Sequence, residues 1–373
     1  MKISGFGLYR FRLPLTAPLA LKGETTKDRE GLLLKLEGED GAAGWGEASP
    51  LPGFSEEDLP GAARGLGELA ASLAGREWDE SRIGADGALD RMLDRADPAP
   101  SVRFGLELAL HNLHAAAHGK TLPEVLFRDF GDVARVNALI SGPADGAPEE
   151  ARRIRDAGYE AVKLKVGGRP VREDAALVRA VNAALGGDVA LRLDANRAWS
   201  LDEALGFARG IEGVRVEYLE EPLADPSGLE NFTRTCGVPV ALDESLVVMP
   251  PDALGEHAYA AAVVMKPSLL GGLSRTLRLG RRAESLGLRP VVSSAYESGV
   301  GTAALVALAA GLGGGGVPAG LDTYRRLAGD VIEPRLPLPA PGVRVREAVE
   351  RGRGVVLDRI SPEARDSGGK TPS

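Results

Sequence analysis

The chain of 373 residues contains one cysteine, Cys236, so it can close no disulfide within itself, and a reducing compartment is its natural setting. It has no excess of positive charge: 45 Lys and Arg against 53 Asp and Glu leave a net charge of −8. Nucleic acid and anionic membrane surfaces both demand a basic footprint, so neither is an expected partner. No apolar run is long enough to span a bilayer; the nearest, 302-TAALVALAAGLGGGG-316, is too short. The opening MKISGFGLYRFRLPL lacks the apolar stretch and small-residue cleavage site of a secretion signal. These absences leave a cytoplasmic protein that works on a small molecule, with homo-oligomerisation left open. Its 44% hydrophobic and 26% charged content is that of an ordinary globular chain.

What is present falls into two textures. Up to about residue 60 strand-like pieces alternate with turns, as in 6-FGLYRFRLPL-15 and 31-GLLLKLEGEDGAAGWGEASPLPGF-54, where GEDG breaks a hairpin. Residues 56–119 read as helical, and 101-SVRFGLELALHNLHAAAHGK-120 carries a candidate cap in Ser101 and a stop in Gly119. After residue 133, short β-rich runs recur at intervals of roughly 22 to 30 residues with amphipathic stretches between them. They begin at ARVNALIS, AVKLKVG, VALRLDAN, VRVEYLEE, VPVALDES, AAAVVMKPS and LRPVVSSAYES, and end with the weaker 319-AGLDTY-324. Strands alternating with helices predict a (β/α) barrel with an irregular last unit. A doubly wound sheet would need a glycine-rich phosphate turn after its first strand, and that turn is missing.

Barrel enzymes draw their active groups from the C-terminal ends of several strands. Here those ends are ionisable. Lys163 and Lys165 lie two apart in KLKVG and so share a face. Arg192, Asp194 and Asn196 share another in LRLDAN, and Lys266 ends VVMK. Asp194, one of Glu220 and Glu221, and Asp243 come from three successive strands. Three carboxylates gathered in a partly dry cleft repel one another unless a cation holds them, and an all-oxygen set suits Mg²⁺. The alternation of YLEE does not choose between its two glutamates. Lysines facing each other across such a site serve proton abstraction beside a carboxylate, and crowding by other cations and by Mg²⁺ is expected to lower their pKa values.

These motifs resemble the enolase superfamily, and within it the o-succinylbenzoate synthases of menaquinone biosynthesis. KLKVG, LRLDANRAW, YLEEPL, ALDES, VVMKPSLLGG and SSAYESGVG carry the likeness, with GWGEASPLPGFSEE, PSVRFGLELAL and GLDTYRRL outside the strand ends. The resemblance implies an α/β fold, an enolase-type (β/α)7β modified TIM barrel with an N-terminal α+β capping domain. Its implied boundaries are a cap over 1–125, a catalytic barrel over 126–325, a segment over 326–360 that completes the cap, and a flexible tail over 361–373. By resemblance, Lys165 is the general base, Lys163 orients the carboxylate and keeps the pair's pKa low, and Lys266 holds the opposite face. Asp194, Glu220 and Asp243 are the implied Mg²⁺ ligands. The implied reaction is the Mg²⁺-dependent syn dehydration of 2-succinyl-6-hydroxy-2,4-cyclohexadiene-1-carboxylate to 2-succinylbenzoate by a lyase. Ser293, Ser294, the Gly299 amide and Asn196 are the candidate contacts to this small-molecule carboxylate, and 15-LTAPLALKGETTKDREG-31 is the candidate lid.

Four rival readings bear on this one. An N-acylamino acid racemase would use the same lysines and metal ligands, alone or in a bifunctional enzyme. A dipeptide epimerase would carry Asp-x-Asp at the eighth strand, where this chain has only Asp322. His111, His114 and His118 lie at helical spacing and offer a zinc-binding face, with no cysteine or carboxylate to complete it. A non-catalytic barrel would have no use for the full set of three lysines and three carboxylates.

Overall fold

The structure, a computed structural model, describes residues 1–21, 24–78, 83 and 88–363. Its strands are β1 (Ile3–Leu21), β2 (Glu24–Gly38), β3 (Ala43–Ala48), β4 (Val133–Arg135), β5 (Ala138–Ile140), β6 (Ala161–Lys165), β7 (Ala190–Asp194), β8 (Val216–Glu220), β9 (Val240–Leu242), β10 (Ala262–Met265), β11 (Arg289–Val292), β12 (Gly342–Arg344) and β13 (Ser361–Pro362). The cap is an antiparallel sheet in the order β13-β1-β2-β3, covered by α1 (Leu59–Leu73), α2 (Ala88–Ala96) and α3 (Pro100–Ala117). The leucines of 31-GLLLKLEG-38 explain this layering. Leu32, Leu34 and Leu36 join the cluster beneath α1 and α3, whereas Leu33 faces the main core. Gly44 and Gly46 let α3 lie directly on β3, because a Cβ at either position would overlap the α3 backbone at Ala109 or Gly105. Ser101 does not cap α3: it lies inside the first turn after Pro100, and its amide donates to Glu57. The proline takes the helix start that Ser101 was expected to mark.

The second body is a parallel seven-stranded sheet, β5 through β11 in sequence order. Between the strands run α4 (Leu122–Leu126), α5 (Ala147–Asp156), α6 (Val171–Leu185), α7 (Leu201–Gly210), α8 (Leu229–Cys236), α9 (Glu244–Val247), α10 (Pro267–Leu270), α11 (Leu273–Ser285) and α12 (Gly299–Gly311). Their starts are written in the sequence. Ser200 and Glu203 form a reciprocal capping box at α7, and Gly186 ends α6 in a left-handed conformation (φ 73°). Among the described residues no eighth barrel strand forms. Ala319 pairs with Val136 and Gly320 with Ser293, and this two-residue bridge closes the barrel between β11 and β5. The weak 319-AGLDTY-324 run therefore supplies two rungs before turning into a 3₁₀ segment at Asp322.

The chain beyond residue 326 differs from its expected course. α13 (Val345–Gly352) packs on α12 and β12 pairs with β4, so this segment lies against the barrel as well as the cap. It reaches the cap where Leu327 bridges Leu15 and the Ala328 amide donates to Pro14. The first residues of the expected tail are tied down. Ser361 and Pro362 pair with β1, and Glu363 takes a two-pronged bond from Arg10, while residues 364–373 lie outside the described residues. No helix among the described residues is long and apolar enough to cross a membrane.

Candidate active site

The inward faces of the barrel strands stack in two levels. Below, Tyr218, Ala241, Ala262, Val264 and Val291 pack into a small apolar plug, and the Arg192 guanidinium lies 5.3 Å from the Tyr218 ring. Arg192 is fully buried, with Nε on Glu217 and Nη1 on Asn137 Oδ1 and the Pro318 carbonyl, so it braces the barrel floor. Above it the strand register places Lys165 opposite Asp194 and Asp194 opposite Glu220, with Asp243 one step beyond β9. All three carboxylates are withdrawn from water, at 2%, 0% and 4% exposure.

Lys163 Nζ lies 2.8 Å from Asp194 Oδ2 and 2.8 Å from Glu220 Oε2. Across the ring Lys266 forms an ion pair with Asp243. Lys165 is exposed, and its ammonium donates to Asn196 Oδ1 at 3.0 Å. A cavity joins these groups, walled by all three lysines, Asp194, Asn196, Ser293, Tyr296 and the β1 residues Leu19, Ala20 and Leu21. Within the candidate lid, Leu19–Leu21 and Glu24–Thr26 are paired strand, and Leu19, Ala20 and Leu21 form one wall of the cavity, while residues 22 and 23 lie outside the described residues.

Burial and the Asp194 charge push the Glu220 carboxyl well above its usual range. Asp194 feels the same burial, yet the charges of Lys163 and Lys165 outweigh it and hold its carboxyl low. Lys163 and Lys266 take their shifts from the same carboxylates. Burial alone would lower both, but Asp194, Glu220 and Asp243 act on Lys163, and Asp243 and Glu220 act on Lys266, so both ammonium groups are raised. Cation crowding does not set these two values because the carboxylates stand closer.

The two glutamates of YLEE are separated by one backbone feature. Glu220 is the last strand residue and faces Lys163, whereas Glu221 has φ 38° and turns away to accept from Arg197 and the amides of Asp243 and Ser245. As placed, no three His, Cys, Asp or Glu side chains among the described residues form a metal-holding group. Asp194 and Glu220 do already share one cation, the Lys163 ammonium. A buried, all-oxygen set with Asp243 on the adjoining strand fits a hard divalent ion.

The substrate-contact candidates fare unequally. Ser293 lines the cavity, and its hydroxyl makes a long 3.5 Å bond to Gly320 O. Ser294 also lines it, but its hydroxyl donates to Glu297 and accepts from the Tyr296 amide. Gly299 is corrected outright: its amide donates to Asp330 at 2.9 Å, and the residue starts the buried α12. The histidine face does not assemble either. His111 is buried with Nδ1 2.7 Å from the Glu107 carbonyl, and the rings of His114 and His118 stack at 4.4 Å.

Sequence reasoning missed the joint between cap and barrel. The Arg29 guanidinium reaches the carbonyls of Ser49 and Pro50 in the cap and of Tyr296 and Ala295 in the barrel. Glu47 accepts from the Ser298 and Gly301 amides at the start of α12. Glu107 of α3 accepts from the Ser274 amide of α11. The available signal was acidic and basic residues inside apolar strands and helices, which must be paired if buried.

A family model described as Enolase C-terminal domain-like matches residues 146–361, and one described as MenC, N-terminal domain matches residues 3–113. The o-succinylbenzoate synthase of Edwardsiella ictaluri is 36% identical over 351 residues, covering 92% of this chain and 98% of that protein. The chain belongs to the o-succinylbenzoate synthase family of the enolase superfamily. It is accordingly an enzyme of the lyase class, in a family of menaquinone biosynthesis. Among solved enolase-superfamily structures it is similar to the muconate lactonizing enzyme of Pseudomonas fluorescens, with TM-score 0.83, 24% identity and 96% and 98% of the two chains covered. The dipeptide epimerase of Methylococcus capsulatus, solved with Mg and a dipeptide, gives TM-score 0.77 at 26% identity, covering 92% and 97%. The enolase-type barrel with its strand-rich cap is thus the fold of this chain.

Proposed function

We propose that this enzyme dehydrates 2-succinyl-6-hydroxy-2,4-cyclohexadiene-1-carboxylate to 2-succinylbenzoate. The observation that carries the reading is a pair of lysines on opposite walls of one cavity, Lys165 at the end of β6 and Lys266 after β10, with three buried carboxylates between them. Asp194, Glu220 and Asp243 are the residues that would hold Mg²⁺, whose charge, when bound, favours the build-up of negative charge on the substrate carboxylate. Lys165 takes the proton from the carbon α to that carboxylate, and the C–H electrons move into the enediolate. Lys266 faces the enediolate from the other wall. Lys163, tied to two of the carboxylates, keeps them in place for the cation. The C6–O bond then breaks, the proton on Lys165 leaves with hydroxide as water, and the ring becomes aromatic. The reading assigns 1–125 to capping and 126–325 to catalysis.

The same two lysines would also serve racemisation of an N-succinyl amino acid, with one taking the proton and the other returning it from the opposite face. A spectrophotometric dehydration assay with Mg²⁺, run beside polarimetry on N-succinyl amino acids, separates a synthase, a racemase and an enzyme with both activities. Lys165→Ala and Lys266→Ala should each lower kcat for dehydration by roughly 10²–10⁴-fold while leaving the circular dichroism unchanged. Near-normal turnover by Lys165→Ala would end its assignment as the base.

A further inference from the structure

A second cavity, of about 300 Å³, opens beside the catalytic one and shares Leu19, Ala20, Leu139, Lys165 and Tyr296 with it. Pro18, Leu19 and Ala20 of β1 form one wall of it, and Ser141 and Gly142 at the barrel rim form another. Its ionisable lining is cationic: Lys165, Arg169 and Arg326, with no carboxylate. Arg169 is already engaged by Asp174 and the Lys165 carbonyl. Arg326 differs. Its Nε is buried without a hydrogen-bond partner, in a side chain that cannot give up its charge. The neighbouring Arg325, by contrast, ties Asp322 and the Leu139 carbonyl.

We propose that Arg326 and this cavity form the subsite for the distal carboxylate of a succinyl chain. The inference rests on the reading of a succinyl-bearing substrate given above. A guanidinium with an unsatisfied buried N–H pays a desolvation penalty that a planar carboxylate relieves, commonly through two parallel bonds. The apolar wall of Pro18, Leu19 and Ala20 suits the methylenes that would lead there. Tyr296 stands between the two regions: burial raises its hydroxyl, while the charges of Arg326, Lys163 and Lys266 all reach it. The hydroxyl of Ser294 and the amide of Gly299, which the sequence offers for the same carboxylate, are occupied by Glu297 and Asp330. A distal carboxylate is thus drawn to the rim beside the barrel closure, away from the β11 loop.

The test compares 2-succinylbenzoate with 2-butanoylbenzoate, which has the same chain length and a methyl in place of the carboxylate. Calorimetry with Mg²⁺ on wild type, Arg326→Met and Arg326→Lys should show a preference for the diacid of tenfold or more in wild type. Arg326→Met should bind both ligands alike, with 2-butanoylbenzoate unchanged, and Arg326→Lys should recover part of the preference. In turnover, Arg326→Met should raise KM by about tenfold and leave kcat within about twofold. Retention of the wild-type preference in Arg326→Met, absence of any preference in wild type, or equal loss of both ligands in Arg326→Met would each overturn the proposal. If wild type fails to dehydrate the cyclohexadiene, the synthase reading falls separately. The same comparison of N-succinyl with N-butanoyl amino acids then decides the subsite, and no preference there overturns it.

Discussion

Glu47→Gln tests the joint between cap and barrel. The carboxylate accepts four hydrogen bonds: Oε1 from Ser49 Oγ (2.7 Å) and the Ser298 amide (2.9 Å), Oε2 from Ser298 Oγ (2.5 Å) and the Gly301 amide (2.9 Å). Glutamine keeps one oxygen and turns an NH₂ toward the other pair. The Ser298 hydroxyl can rotate to accept, but the Gly301 amide cannot, and a stranded buried N–H costs about 1–3 kcal/mol. The other three bonds change from charge-assisted to neutral, a loss of about 1 kcal/mol each. Against this stands the relief of burying no charge, because burial already pushes the Glu47 carboxyl up. Setting that relief at about 2 kcal/mol leaves a net destabilisation of about 2–4 kcal/mol. Urea unfolding followed by circular dichroism should read it as a lower midpoint at unchanged slope. A midpoint shift worth less than about 0.5 kcal/mol would refute the account, because it would mean that this buried contact behaves as a surface one.

Two further outcomes follow from the same physical reasoning. Burial holds His111 at about 4 in the folded protein, against an ordinary value of 6.5, so the unfolded chain binds more protons between those values. Its contribution is fully present above pH 6.5 and is lost as pH falls toward 4, by up to roughly 3 kcal/mol. Glu107, raised by burial to about 7, acts with the opposite sign between its ordinary 4.5 and 7. The wild-type minus His111→Gln difference in Tm against pH therefore isolates the histidine, and a flat difference between pH 4 and 6.5 would refute it. Glu220→Gln should weaken Mg²⁺ binding at least tenfold by calorimetry and remove about half or more of the Mg²⁺-dependent rise in Tm, since a ligand at 100 Kd adds about 2.7 kcal/mol and one at 10 Kd about 1.4 kcal/mol. An unchanged Kd would remove Glu220 from the ligand set.

The barrel and its ionisable rim were legible because they rest on local rules. A strand alternates its faces, so KLK had to present two ammonium groups together, and LRLDAN had to set Asp194 above Arg192. The choice between Glu220 and Glu221 was not legible, since it turns on a left-handed φ at Glu221 that no side-chain pattern encodes. The paired stretch within 15-LTAPLALKGETTKDREG-31 was not legible for a related reason: its composition is polar enough for a loop, yet Leu19, Ala20 and Leu21 pair with Thr26, Thr25 and Glu24. Gly299 and Ser294 failed because their partners, Asp330 and Glu297, come from turns whose positions only tertiary structure fixes.

The closure at Ala319 and Gly320 divides the barrel into unequal halves. The lysines and carboxylates hang from β6 to β10, where every strand has a ladder on both sides and displacement of one residue strains its neighbours. Asp322, Arg325 and Arg326 follow a seam held by a few backbone bonds. Substitutions along the seam disturb few rungs, so changes in what the pocket accepts can accumulate there while the proton-transfer geometry stays fixed. On the proposed roles, proton transfer and substrate selection would sit on parts of one ring that differ in how much mutation each can absorb.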